Sequence, residues 1–272
     1  DSRSNGSMSN KLRIVQNTHH YGVQFAYNML LDTWNGFCAR PEFLELYAET
    51  DVRGPGNEKK GTANTKQWGW FLGPVYKAGS TTDMYLDEDV IDEKNPNGTP
   101  TVIHAEVSSL TNAHNFDGAR LNKWEIDKES KYTYCENDFV LMRYADVLWM
   151  KEEAILRGGA GASGVNTDDF RTMLGRAFAY DGSSADKFKA AYPDFLTLEG
   201  ILDERGREFT WEMVRRRDLI RYNKFNDIQY VTDAKAKQEC RKWFPIPFSV
   251  LEKSLVVDGK KVWTQTPGYE NL

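Results

Sequence analysis

Glu204, Glu208 and Glu212 recur at four-residue intervals in the stretch ERGREFTWEMVRRRDLIRY, residues 204–222. Carboxylates at that spacing line one face of a helix. The same nineteen residues hold six arginines and a fourth acid, Asp218. Such a run could serve acid–base catalysis, a basic nucleic-acid face, or a helix whose charges pair with each other. Glycoside hydrolysis needs two carboxylates facing across a sugar, about 5 to 10 Å apart. Carboxylates on one helix face all point the same way. Each also has an arginine close by: Arg207 follows Glu204, and Arg216 follows Glu212. Such pairing lowers carboxylate pKa values, which opposes a general-acid role. The nucleic-acid reading fails on balance, because acids interleave with the arginines and the chain carries a net charge of −5. What remains is an ion-paired scaffold helix. Arg143 and Asp146, at i and i+3, are expected to join it. The expected network is Arg143, Asp146, Glu204, Arg207, Glu208, Glu212, Arg216 and Asp218, with no catalytic residue.

Metal chemistry is equally poorly supplied. His19, His20, His104 and His114 show no HxxxH or HExxH spacing. The acidic loop DMYLDEDVIDE (83–93) has the oxygens for calcium, but a solvated acidic loop explains it better. Cys38, Cys135 and Cys240 are far apart and odd in number, so no disulfide framework is expected; all three read as small buried hydrophobes. No metal and no cofactor are expected.

Binding of a flat ligand is better supplied. Aromatic residues make up 13% of the chain, with eight tryptophans. Sugars present flat apolar faces to aromatic rings and a rim of hydroxyls to polar groups. Trp149 and Trp211 read as helical core, and Trp243 and Trp263 as packed tail residues. Trp34, Trp68, Trp70 and Trp124 fall in loop-rich sequence. The segment KQWGWFLGPVY (66–76) is the best candidate, with Trp68 and Trp70 beside Gln67 and Tyr76. The competing reading is that one of the two tryptophans anchors its loop to the core.

The elements that must hold these residues differ along the chain. Residues 1–130 are rich in turns, with one short helix near the start and a strand expected at 101–107. A helix is expected to start after Asn137-Asp138 and stop at Gly158-Gly159. The periodic positions are Val140, Tyr144, Val147, Met150 or Lys151, and Ala154. Thr167 caps a second helix. A long helix is expected from Thr197 to about Phe225, with a stripe of Leu198, Leu202, Phe209, Met213 and Ile220 that packs on the 139–157 helix. The tail contains KWFPIP, which cannot be helix interior, and VVDGKKVW, a type I′ hairpin signal. No apolar run is long enough to span a membrane, and no signal peptide is read at the start.

Three segments together resemble the C-terminal part of the SusD/RagB family: FVLMRYADVLWMKEEA (139–154), ILDERGREFTWEMVRRRDLIRY (201–222), and FPIPFSVL (244–251) with TQTPGY (264–269). DVR (51–53) sits where that family often has Asp-x-Arg. The resemblance implies a mainly α, SusD-like helical fold (α/α, tetratricopeptide-associated) with long loops and a small β-hairpin. It implies one C-terminal domain over 1–272: a loop-rich ligand side (1–130), a helical scaffold (131–225) and an extended tail (226–272). Family members are usually longer, so the chain reads as the C-terminal portion. The implied function is non-catalytic binding of oligosaccharides at the outward-facing outer membrane, with delivery to a SusC-like TonB-dependent transporter. Any membrane contact would run through a lipid anchor outside this chain. Peptide uptake within the same family, glycoside hydrolysis, and a module that only caps its transporter are the alternatives. The resemblance also raises the standing of the 66–76 segment as a ligand contact, so the candidate ligand residues are Trp68, Trp70, Tyr76 and Gln67, with Trp34 and Trp124 from the other loops.

Overall fold

The structure, a computed structural model, describes residues 14–30, 32–55, 69–109, 113–124, 140–178, 184–227 and 238–270. Contacts divide the chain into two compact units, Asp1–Glu212 and Met213–Leu272. The architecture is mainly α. No helix among the described residues is long and apolar enough to cross a membrane.

The first unit opens with short helices α1 (Ile14–Thr18), α2 (Tyr21–Ala26) and α3 (Pro41–Leu44). Short strands follow: β1 (Gly69–Phe71), β2 (Gly73–Pro74), β3 (Leu86–Asp87), β4 (Thr99–Pro100), β5 (Val102–Ile103) and β6 (Arg120–Asn122). They pair antiparallel as β1–β6, β2–β5 and β3–β4. The strand expected at 101–107 shrinks to the two residues of β5. Two apolar clusters hold this half. Val23, Ala26, Val75 and Ile103 form one. Leu44, Tyr47, Trp70, Ala119 and Leu121 belong to the other.

A buried polar knot supports the first cluster. His20 caps α2 by accepting from the Gly22 amide through Nδ1 at 3.1 Å. Its Nε2 therefore carries the proton, which it donates to Asp87 Oδ2 at 3.1 Å. Burial, helped by nearby Arg120, lowers the His20 pKa to about 4 against the pull of Asp87. The same two causes lower His19 to about 3.

The helical half is α4 (Tyr144–Leu156), α5 (Asp168–Gly175), α6 (Ser184–Ala191) and α7 (Leu198–Glu208). Thr167 and Thr197 cap α5 and α7 through their hydroxyls, as the sequence predicts. Trp149 sits at the centre, edge-on to Phe170 with ring centroids 4.9 Å apart, and α7 packs on α4. Two expectations about α4 fail. It starts at Tyr144, with Arg143 rather than an Asn-Asp pair at its N-cap. Its expected apolar stripe is also on the wrong face: Tyr144, Val147, Met150 and Ala154 are exposed. The buried face carries Ala145, Leu148 and Trp149 together with Asp146, Glu152 and Glu153. Those acids are buried because each has a partner: Arg205 for Asp146, the Ser163 hydroxyl and Gly164 amide for Glu152, and Arg157 for Glu153. Hydropathy alone cannot see that compensation.

The long helix expected from Thr197 to Phe225 is broken. It stops at Glu208 and a separate helix, α8 (Arg215–Arg221), follows. Trp211 and Met213 between them both adopt φ of 62°. That left-handed geometry does not fit a continuous helix, and the expected stripe ends with it: Phe209 is buried while Met213 is exposed.

The second unit contains α8, α9 (Phe248–Glu252) and a hairpin of β7 (Val256–Val257) with β8 (Lys260–Lys261). Asp258 and Gly259 at its turn have φ of 50° and 75°, as a type I′ turn requires. The two tail motifs join through Gln265. Its amide accepts from the Ile246 N–H at 2.7 Å and donates to the Ile246 carbonyl at 3.1 Å. Trp243 and Trp263, expected to be packed, are largely exposed. Cys38 and Cys240 are only partly buried, and Cys135 lies outside the described residues.

Two predictions follow from these backbone and burial features. Met213 is 65% exposed, so its side chain contributes little to packing. Met213→Gly removes the left-handed strain and should raise stability by about 1 kcal/mol, read as a higher melting midpoint. His19 and His20 stay neutral in the fold while the unfolded chain takes up protons below its ordinary histidine pKa of 6.5. Stability is therefore complete above pH 6.5 and falls as pH drops through about 4 towards 3. Denaturant titrations at half-unit pH steps check this; a flat profile from 6.5 to 4 would contradict the burial of both rings.

Candidate functional site

Gly69, at the start of β1, and Leu121 to Trp124, at the end of β6, rim a cavity of about 440 Å³. The rest of its wall comes from Tyr47, Arg53, Val140, Arg143, Arg176, the end of α7 (Arg207 and Glu208), and Thr210 and Glu212 just beyond it. Gly69 has φ of +87°, and a Cβ there would lie 2.6 Å from the Arg53 carbonyl oxygen. Only glycine lets β1 run this close to the 51–54 turn.

The floor is an ion-pair lattice centred on Glu208. Its Oε1 accepts from Arg143 Nη1 at 2.6 Å and Arg176 Nη2 at 2.8 Å, and its Oε2 from Arg53 Nη1 at 2.9 Å. Arg53 also donates to Glu204 Oε1 at 2.8 Å and chelates Asp51 through Nε and Nη2 at 3.0 and 2.7 Å. Glu212 accepts from Arg143 Nε at 2.8 Å and forms an ion pair with Lys123 Nζ at 2.5 Å. Arg207 donates to Glu204 Oε2 at 2.8 Å.

The lattice also closes the end of α7. The final carbonyls of a helix lack intrahelical donors and carry partial negative charge. Lys123 Nζ donates to the Glu208 and Thr210 carbonyls at 2.7 and 2.9 Å. Arg143 Nη2 donates to the Glu208 carbonyl at 2.7 Å. The guanidinium of Arg143 lies 4.6 Å from the centre of the Phe209 ring. Cations that sit on a helix C-terminus while pairing its last carboxylates fix where that helix ends.

This geometry decides the chemistry of the carboxylates. Burial works against charge on Glu208, but Arg53, Arg143, Arg176 and Lys123 outweigh it and hold the pKa near about 2. A group that stays ionised at neutral pH donates no proton to a leaving group. Lys123 is pulled the other way: burial lowers it to about 8 despite Glu212 and Glu208. Its ammonium already faces one carboxylate and two carbonyls, so it is held as a structural cation.

The other expected network members are placed differently. Asp146 pairs with buried Arg205, Nη1 to Oδ1 at 2.6 Å, and not with Arg143. In the second unit, Arg216 donates to the Arg241 and Lys242 carbonyls at 2.8 and 2.9 Å, and Asp218 faces Arg221 at 3.3 Å. Sequence reasoning did not assign Arg53, Lys123, Arg176 or Arg205 to the lattice. DVR was the one visible signal, since its Arg53 joins Asp51, Glu204 and Glu208. Lys123 and Arg176 lie in unremarkable sequence.

The expected aromatic contacts separate by burial. Trp70 is buried, edge-on to Phe43, with its Nε1–H donating to Tyr47 Oη at 3.2 Å. Its ring anchors β1 and offers no open face. Trp34 is exposed, Tyr76 is half-buried beside Met84, and half-buried Trp124 lines the cavity. Trp68 and Gln67 lie outside the described residues. Phe37, exposed and tilted against Trp211, is an aromatic that sequence reasoning passed over. The acidic loop scatters its carboxylates: Asp83 pairs with Lys77, Asp87 with His20, and Asp92 caps its own turn. No metal-competent cluster of three or more groups occurs among the described residues.

A model of the SusD family matches residues 2–269. The chain is 31% identical over 124 residues to the starch-binding protein SusD of Bacteroides thetaiotaomicron. That alignment covers 44% of this chain and 20% of the relative.

Removing the central carboxylate should expose the dependence of the fold on it. Glu208→Ala leaves Arg53, Arg143 and Arg176 short of a shared partner and should cost about 3–5 kcal/mol. Urea denaturation of the purified variant measures it. A loss under 1 kcal/mol would mean that the lattice is solvated and dispensable.

Proposed function

The chain belongs to the SusD family, and on that premise we propose that it binds oligosaccharides at the bacterial cell surface without cleaving them. It then hands them to a TonB-dependent outer-membrane transporter. The family carries a carbohydrate-binding role in nutrient uptake, and the matched relative is named for binding starch. The observation that carries the reading is the cavity beside α7. There the Trp124 ring and Leu121 meet a rim of N–H donors. A sugar ring can lie on the indole while its oxygens accept from the rim. Trp34 and Phe37 supply further open aromatic surface in the same unit.

The hydrolase alternative asks for a carboxylate able to deliver a proton. Glu208, held ionised, is unsuited to that step. Attachment to the outer membrane through a lipid outside this chain fits the family role and asks nothing of the folded units.

Isothermal titration against a panel of oligosaccharides, alongside peptides of similar length, tests the proposal. Heat with a saccharide and no reducing ends released over a day is the expected result. Heat with peptides alone would favour a peptide-uptake member of the family. Trp124→Ala should weaken saccharide binding roughly tenfold, equivalent to about 1.4 kcal/mol of stacking, with a modest drop in the melting midpoint because the ring also packs on Met29.

A further inference from the structure

We infer that the cavity beside α7 selects anionic oligosaccharides, chains bearing carboxylate or sulfate groups, over neutral ones. The inference rests on the glycan-binding reading and adds the substrate class.

It comes from how the lattice is layered. Asp51, Glu204, Glu208 and Glu212 have side chains between 0 and 7% exposed. Their partners Arg53, Lys123, Arg143 and Arg176 are between 16 and 37% exposed. The acids form the inner layer and the cations the outer one. A ligand entering the cavity therefore meets N–H groups first. Five cations line the opening, counting buried Arg207, against the two carboxylates of Glu208 and Glu212. Adding Asp51 and Glu204 behind them makes it five against four. The local surplus is positive in a chain whose net charge is −5.

The hydrogen-bonding capacity points the same way. Neutral sugars are rich in hydroxyl donors and need acceptors as well as donors. The carboxylate acceptors here are taken: Glu208 receives three guanidinium bonds, and Glu212 receives two plus the Lys123 ammonium. Donors are in better supply. Arg176 is the most exposed of the cations. It gives Nη2 to Glu208 at 2.8 Å, and its buried Nε–H has no hydrogen-bond partner among the described residues. A carboxylate or sulfate on a sugar is acceptor-only and suits a planar guanidinium edge. Trp124 and Leu121 in the same wall supply the apolar surface that a bare phosphate or acetate would not use. Together they describe an oxyanion carried on a sugar ring.

The test compares oligogalacturonides with malto-oligosaccharides of equal length on the full chain, by isothermal titration at 50 and 500 mM NaCl. The expected result is at least tenfold tighter binding of the acidic chain at low salt, weakening at high salt. Arg176→Gln should remove most of that preference, and Arg176→Lys, which keeps the charge, should retain part of it. Arg53 and Arg143 still hold Glu208 in both variants, and a matching melting midpoint for each confirms that the fold is unchanged. Equal, salt-insensitive affinity for the two chains overturns the inference, as does a preference for the neutral chain; either leaves glycan binding itself standing. Binding of neither saccharide, with heat from peptides, overturns the glycan reading and the inference together.

Discussion

Three guanidinium groups, from Arg53, Arg143 and Arg176, close on the single carboxylate of Glu208. They come from the 51–54 turn, the start of α4 and the end of α5, so one side chain pins three distant stretches of chain to the last turn of α7. Buried ion pairs add little net stability compared with apolar packing, because each charge must first lose its water. What they impose is a steep cost on every arrangement that leaves one partner alone. Here that cost is levied on the docking of α4 and α7 and on the approach of β1. The apolar core of Trp149, Phe170, Phe188 and Ile201 supplies the collapse. The lattice decides which collapse is allowed.

The same lattice explains why a stretch so rich in acids and bases is not poised for proton transfer. A carboxylate that acts as a general acid needs an environment that brings its pKa towards neutrality. Glu208 has burial acting in that direction, but four nearby cations overwhelm it. A carboxylate held this firmly behaves as a fixed anion. Its fixed charge is then useful in another way, because it orients arginine side chains whose outer edges face the cavity. Scaffold and cavity lining are two sides of one set of ion pairs, with the acids inward and the donors outward.

The tryptophans divide by how the first unit folds. Trp70 lies in the apolar cluster with Leu44, Tyr47 and Leu121, and its indole N–H is satisfied by Tyr47. It fixes β1 against β6, and β6 leads directly into Lys123 and Trp124 at the cavity. One aromatic is thus spent on anchoring so that another can be presented. Both readings of the Trp-Gly-Trp segment were open in the sequence. Burial alone places Trp70 with the anchors.

The sequence by itself determined what local rules control. The Thr167 and Thr197 caps, the stop at Gly158 and the Asp258-Gly259 turn were all legible, because each depends on backbone geometry within a few residues. The family was legible too, through motifs that keep their order along the chain. That the acids and bases of 204–222 interleave pointed to pairing. Tertiary structure decided everything that depends on distant partners. It broke the long helix, because Trp211 and Met213 turn left-handed after cations from elsewhere cap α7. It turned the polar face of α4 inward, because Arg205 meets the charge of Asp146 and the Ser163 hydroxyl and Gly164 amide meet that of Glu152. It brought Arg53, Lys123 and Arg176 to Glu208 across separations that no short-range pattern records. Caps and turns are set by neighbours in sequence, whereas a buried charge is tolerated only beside its partner, and that partner is chosen by the fold.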